Sequence, residues 1–151
     1  MITAAARALI ETWRLGFVAS ADAGGRVNVS PKGTFIVVGD DTLAFAEMRS
    51  PNTVRNIQER PEVEINFVDI LSRKGVRLRG HARLENRGSA TFGELLPQFS
   101  AHWPDLGDMF NAAVLIVISI CNPLVSPAYE KGAEEAELRA LWKQKIQDLP
   151  A

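Results

Sequence analysis

Three short segments of this 151-residue chain combine residue types that could hold an anion. The first runs Glu47-Met48-Arg49-Ser50-Pro51-Asn52-Thr53-Val54-Arg55-Asn56, where a β-type run gives way to a polar loop and then to a helical pattern starting at Ser50, Asn52 or Thr53. A helix start presents unpaired N–H groups and partial positive charge, both suited to a phosphate. Arg49 and Arg55 add charge-assisted donors, and Ser50, Asn52, Thr53 and Asn56 add neutral ones. An ordinary capped helix with solvated arginines would carry the same residues. The second segment is Asn28-Val29-Ser30-Pro31-Lys32-Gly33, at the tail of a strand. Pro31 removes a ladder hydrogen bond and Gly33 permits close backbone approach, so something other than a neighbouring strand can lie there. Lys32 would place an ammonium beside an anionic oxygen or a reduced ring; a β-bulge with an exposed lysine is the competing reading. In the third segment, Gly75–Gly80, alternation puts Arg77 and Arg79 on one face, which suits an anion site or a solvated sheet face equally.

Other chemistries find little support. His81 and His102 are far apart with no carboxylate at ligand spacing, so no metal is expected. The single cysteine, Cys121, excludes an internal disulfide and a multi-cysteine zinc site, and reads as a buried thiol in the apolar run VLIVISIC. No G-x-S-x-G elbow, P-loop or G-x-G-x-x-G occurs, and Ser30 and Ser50 have no visible histidine base. No catalytic side chain is therefore assigned. Seventeen basic and eighteen acidic residues leave a net charge of −1, which argues against nucleic acid as the partner. Arg7 and Glu11 interrupt the opening MITAAARALIETW where a signal peptide needs an apolar stretch, and no run approaches membrane-spanning length. A cytoplasmic protein without membrane contact is expected.

The elements that must position these segments form one domain over residues 1–151: a helix over 1–14, a barrel with inserted helices over 15–121, and a terminal helix over 133–149. Ala6, Leu9, Ile10 and Trp13 give the first helix its apolar side, with Thr3 as N-cap. Two strand pairs follow, turning at Asp22–Gly25 and Gly39–Asp41, and read together as an antiparallel meander of four strands. After a short helix stopped by Pro61 come strands over Val63–Asp69 and Gly75–Glu85. Phe92, Leu95, Leu96 and Phe99 mark a helix over Ser89–His102, and Ala113–Ile120 is apolar on both faces and should run inside the sheet. Asn122–Pro127, with its two prolines, reads as a break before an amphipathic helix built on Leu138, Leu141, Trp142 and Ile146. The fold class is mainly β (α+β). A meander of six to seven strands closes most readily into a small barrel, because closure removes exposed edges.

The ordered set GFVAS, RVNVSPKGTFIVV, TLAFAEMRSPNTVRNIQERPEVEINFV and GVRLRGHARL, over Leu15 to Leu84, resembles the FMN-binding split-barrel proteins related to pyridoxamine 5′-phosphate oxidase. The resemblance implies an antiparallel split β-barrel in a two-fold homodimer with FMN at the subunit interface. Asn28, Ser30, Pro31, Lys32 and Gly33 would line the isoalloxazine edge. Glu47, Met48, Arg49, Ser50, Asn52 and Thr53 would run beside the ring to the phosphate, with Thr53 and Asn56 among its ligands. Trp103 or Tyr129 of the second subunit would complete the pocket. The true oxidases carry an Arg-Lys pair where this chain has Asn52-Thr53, so Arg49, Arg55 or Lys32 would have to replace it or FMN would bind more weakly. Their C-terminal arginine and histidine motif for pyridoxal phosphate is not recognisable, which argues against vitamin B6 oxidation. The implied function is an FMN-dependent oxidoreductase acting on a small substrate. The alternatives are a non-catalytic FMN-binding or electron-transfer protein, a split barrel using deazaflavin or haem, and a structural dimer with an empty groove.

Overall fold

The computed structural model describes residues 1–150, in the order α1 (Ala4–Trp13), β1 (Gly16–Ala21), β2 (Val27–Lys32), β3 (Phe35–Val37), β4 (Thr42–Glu47), α2 (Pro51–Glu59), β5 (Glu62–Asp69), β6 (Lys74–Asn86), α3 (Ala90–His102), β7 (Ala112–Val125) and α4 (Glu135–Gln147). Thr3 caps α1 as its residue type suggests, its hydroxyl oxygen accepting from the Ala6 N–H at 3.2 Å. The helix ends at Trp13, ahead of the expected Gly16, with Arg14 taking the left-handed position at φ 51°.

All seven strands form one antiparallel sheet in the order β2-β1-β5-β6-β7-β4-β3. This corrects the four-strand meander. The β1–β2 and β3–β4 hairpins form as expected, but they sit at opposite ends of the sheet. Only Gly33 and Thr34 separate β2 from β3. Three peptide steps reach roughly 11 Å at most, so the sheet must curl until its two edges nearly meet. The edges approach without pairing, which gives a split barrel.

Side-chain alternation fills the barrel. On β4, Leu43 and Phe45 point inward while Ala44 and Ala46 face α3; on β7, Val114 and Ile116 point inward while Ala113 and Leu115 face α3. Phe35 stands edge-on to Phe45 and Phe67, at ring-centroid distances of 5.3 and 4.8 Å. Each such buried aromatic contributes about 1.5–3 kcal/mol by leaving water. Ile2, just ahead of α1, and Ala6 and Ile10 within it join this interior. Phe92, Leu95 and Phe99 of α3 make a second apolar layer with Phe110 on the outside of β4 and β7.

The Asn122–Pro127 stretch differs from the expected break, because β7 continues to Val125 and pairs Pro123 with Val76. Beyond Val117 the strand has β6 as its only partner, so a proline there sits on an edge and costs no central ladder bond. Between Arg79 and Gly80 the ladder carries a bulge with Ser119 as the extra residue. A Cβ on Gly80 would lie 2.3 Å from the Val117 carbonyl oxygen, so this crossing needs glycine.

The terminal helix forms, yet buries none of its residues, and Leu141 and Ile146 are 49% and 40% exposed. Among the described residues, no helix is long and apolar enough to cross a membrane, and no cluster of three potential metal ligands occurs.

Candidate functional site

The junction between β2 and β3 brings the two polar segments together. Asn28, Ser30 and Lys32 alternate along β2 opposite Ser20, Val18 and Gly16 of β1, so they share the face that carries the buried Val18. At the end of that row Lys32 is only 9% exposed. Its Nζ donates to Ser30 Oγ at 2.7 Å and lies 5.7 Å from the Phe45 ring centre. Burial holds its pKa below the ordinary lysine value, and the negative charge of Glu47 acts in the opposite direction.

Thr34 explains why Lys32 and Glu47 share a field. Its buried hydroxyl donates to the Ala46 carbonyl at 3.0 Å and accepts from the Ala46 N–H at 3.2 Å. The side chain thus pins the link to β4 one residue before Glu47. Glu47 is itself 6% exposed and turns toward the start of α2, where one carboxylate oxygen accepts from the Ser50 N–H at 2.5 Å and the other from the Ser50 hydroxyl. Ser50 occupies the N-cap position with Pro51 after it, but Ser50 makes no side-chain cap bond. A carboxylate from the preceding strand satisfies a free N–H there instead.

Along α2, Thr53, Asn56 and Ile57 are buried against β1, β2 and β6. Asn28 Nδ2 donates to Thr53 Oγ1 at 3.2 Å, and Asn56 Nδ2 donates to Ser20 Oγ at 3.1 Å. The Asn56 Oδ1 is buried with no protein partner. The two predicted segments therefore join in one polar seam between β2, the end of β4 and the first turns of α2. Ser20 and Thr34 belong to it as well and were not singled out in the sequence. The one signal for Ser20 was a polar residue at an inward-facing strand position next to Val18.

Around the seam, Pro31, Gly33, Arg49, Asn52 and Arg55 are exposed, and Arg55 donates to Asn52 Oδ1 at 3.1 Å. Met48 packs against the α3 layer, and its carbonyl accepts from Asn111. Apart from its two chain neighbours, nothing in the protein lies within 4 Å of the place a Gly33 Cβ would occupy. Nothing within the chain itself accounts for a glycine at this position.

Trp103 and Tyr129 do not hydrogen-bond to the seam within their own chain. Trp103 ends α3, with the Arg14 guanidinium 5.8 Å from its ring centre. Tyr129 donates to the Ser72 carbonyl at 2.6 Å, beside the β5–β6 turn. Arg77 and Arg79 both pair with Glu64, at 3.3 and 2.9 Å, so a neighbouring strand supplies their counter-charge. Cys121, expected to be buried, is partly exposed and lines a cavity behind α1.

Chemically, the seam offers donors. Lys32 uses one of the three N–H donors an ammonium carries. The α2 start adds backbone N–H groups and two nearby guanidiniums. Such a set suits an acceptor-rich or anionic ligand more than a cation.

A family model described as pyridoxamine 5′-phosphate oxidase matches residues 2–120. No curated protein sequence matches the chain. Among solved structures, HupZ of Group A Streptococcus is similar at 27% identity and a TM-score of 0.70, over 83% of this chain and 96% of that one. An FMN-binding protein from Syntrophomonas wolfei shares the fold at 17% identity and a TM-score of 0.68, over 80% of this chain and 84% of that one. HutZ, a haem storage protein from Vibrio cholerae, does so at 16% identity and 0.67, over 82% and 94%.

Proposed function

The chain belongs to the pyridoxamine 5′-phosphate oxidase family, and from that premise we propose that it is an FMN-dependent oxidoreductase acting on a small substrate as a homodimer. The observation that carries this reading is Lys32, an almost fully buried ammonium with donors to spare beside a link that nothing in the chain crowds. Burying a charge costs free energy unless a partner offsets it. Glu47 offsets part of that cost through space, and an acceptor atom of a ligand would use the remaining N–H groups.

FMN would supply the redox chemistry when bound, while the protein supplies position and electrostatics. Lys32 and Ser30 would then stabilise negative charge on the reduced ring. The first-turn N–H groups of α2, the Thr53 hydroxyl and the exposed Arg49 and Arg55 would hold the phosphate. Asn56 would act from behind by fixing α2 to Ser20. A partner copy is supported by the outer face of β1 and β2, where Phe17, Val27 and Val29 are exposed. Asn66 pairs with Phe17 on the same face and has a buried Oδ1 without a partner.

One observation favours a second reading, in which the same seam serves a haem-binding or deazaflavin-binding protein, or one that holds FMN without catalysis. The Glu47 carboxylate occupies the Ser50 N–H that a phosphate would otherwise reach, and Asn52-Thr53 adds no positive charge.

Titrating the purified chain with FMN, by flavin fluorescence and visible absorption, tests both. Saturable binding is expected, weakened at least tenfold in Lys32→Met, equivalent to about 1.4 kcal/mol. Gly33→Ala should leave stability unchanged and reduce FMN affinity. Unchanged affinity in both variants would place the flavin elsewhere. No flavin binding together with a Soret band on adding haemin would support the second reading. Reduction of the bound flavin by NADH or NADPH would separate an enzyme from a carrier, and light scattering at twice 16.6 kDa would support the dimer.

A further inference from the structure

A cavity lies outside the polar seam. A cleft of about 640 Å³, partly open to solvent, lies between α1, the end of the β6–β7 strand pair where Lys74 meets Val125, and the first turns of α4. That volume is ordinary for a small-ligand site. No residue of Asn28–Gly33 or Glu47–Asn56 lines it. Its walls are mainly apolar, with Ala5, Leu9, Trp13, Val76, Cys121 and Leu124 among them, and its rim holds Asp69, Lys74, Glu135 and Arg139. We propose that this cavity binds a small amphipathic carboxylic acid, with its alkyl or aryl tail against α1 and its carboxylate at Lys74 and Arg139.

The rim's hydrogen bonding selects the head group. Asp69 Oδ1 accepts from the Leu71 and Ser72 N–H groups at 2.9 and 3.3 Å, and Oδ2 from the Ser72 hydroxyl at 2.8 Å and Arg139 Nη2 at 2.5 Å. That carboxylate is filled. Glu135 is shared between both cations, accepting from Lys74 at 2.7 Å and from Arg139 Nε at 2.9 Å. Lys74 thus uses one of its three donors and Arg139 two of its five. What the rim has left over is mostly N–H, because the unused donors of Lys74 and Arg139 outnumber the acceptor sites still free on Glu135, so an acceptor head is favoured over an ammonium. These contacts also hold α4 over the opening, and α4 buries no side chain that would fill the space beneath it.

The test uses the full chain, with decanoate, decylamine and 1-decanol as probes. Calorimetric titration should show saturable decanoate binding, with decanol at least tenfold weaker and decylamine inactive. Cys121 is the sole cysteine and lies in the wall, so decanoate should slow its alkylation by N-ethylmaleimide at least fivefold. Ala5→Trp, at an exposed position of α1, should fill the cavity and abolish both effects. Lys74→Gln combined with Arg139→Gln should remove the preference for decanoate over decanol. FMN affinity should be the same in every variant, so the two sites fail or stand separately. The proposal is overturned if decanoate does not bind, if binding survives Ala5→Trp, or if the three probes bind equally.

Discussion

The two terminal helices, α1 and α4, line the same cavity but are held by opposite kinds of force. From α1, Ala6 and Ile10 enter the barrel core together with Ile2 just ahead of the helix, and Ile10 is wholly buried. Its N-terminal end is fixed by the Ile2 N–H to the Asp40 carbonyl at 2.7 Å, and Arg7 donates to the Gly39 carbonyl at 2.7 Å. In contrast, α4 buries nothing and is tied down by Lys74–Glu135, Arg139–Asp69 and the Arg73 guanidinium 4.4 Å from the Trp142 ring centre. Apolar burial has no direction and little sensitivity to salt, so it makes α1 part of the folded unit. Apart from Asp69 the groups in these contacts are open to solvent, where ion pairs are screened and individually weak, so they place α4 without anchoring it. A helix's place in the chain says nothing about which role it plays; the destination of its apolar side does.

The largest expected effect is at Ile10. Ile10→Ala should cost about 2–5 kcal/mol in urea unfolding, because the barrel end cannot collapse around the void. A loss below about 1 kcal/mol, under the whole of that range, would break the comparison by making α1 peripheral too. Next comes Asp69, the one buried group among α4's tethers. Burial pushes its carboxyl up, but the Ser72 hydroxyl, the Leu71 and Ser72 N–H groups and Arg139 together hold it below the usual 3.8. Its contribution is therefore present above pH 3.8 and lost as pH falls through the lower folded value. Asp69→Asn should cost about 1–3 kcal/mol at neutral pH and remove that acid-limb slope from thermal melts.

Ending the chain at Gly132 should sharpen the contrast further. With α4 absent, Tm should stay within a few degrees of the full chain, and added salt should narrow the gap. A collapse of the cooperative transition would mean that α4 supports the barrel. The smallest effect is expected at Leu141, where Leu141→Ala should change stability by no more than about 0.5 kcal/mol.

Much of the barrel was legible because local patterns and tertiary burial agree. The alternation of Val76, Leu78, Gly80 and Ala82 against Arg77, Arg79, His81 and Arg83 forces one inner and one outer face, and β6 shows both. Strand order was not legible. Gly33-Thr34 looks like one more tight turn, and nothing local records that the chain crosses from one sheet edge to the other. Pro123 misled for a related reason, since whether a proline breaks a strand depends on whether its other side has a neighbour. Within the seam, Lys32 and Glu47 lay in the segments chosen for their chemistry. That they share a field depends on Thr34 gripping Ala46, a contact across 12 positions that leaves no periodic trace. The same limit hid Asp69 and Arg139, which meet across 70 positions.

The two-residue link between β2 and β3 also ties ligand binding to the breathing of the barrel. The edges it joins share no ladder, so local opening should begin there, and amide hydrogens of β2 and β3 should exchange before those of β6 and β7. Lys32 sits on one lip of that opening and Glu47 beside the other. Any ligand that bridges them stitches the lips together and must slow exchange along both edge strands, by an amount set by its occupancy. Edge-strand protection is therefore a direct gauge of whether the seam is filled, and it requires no knowledge of the reaction.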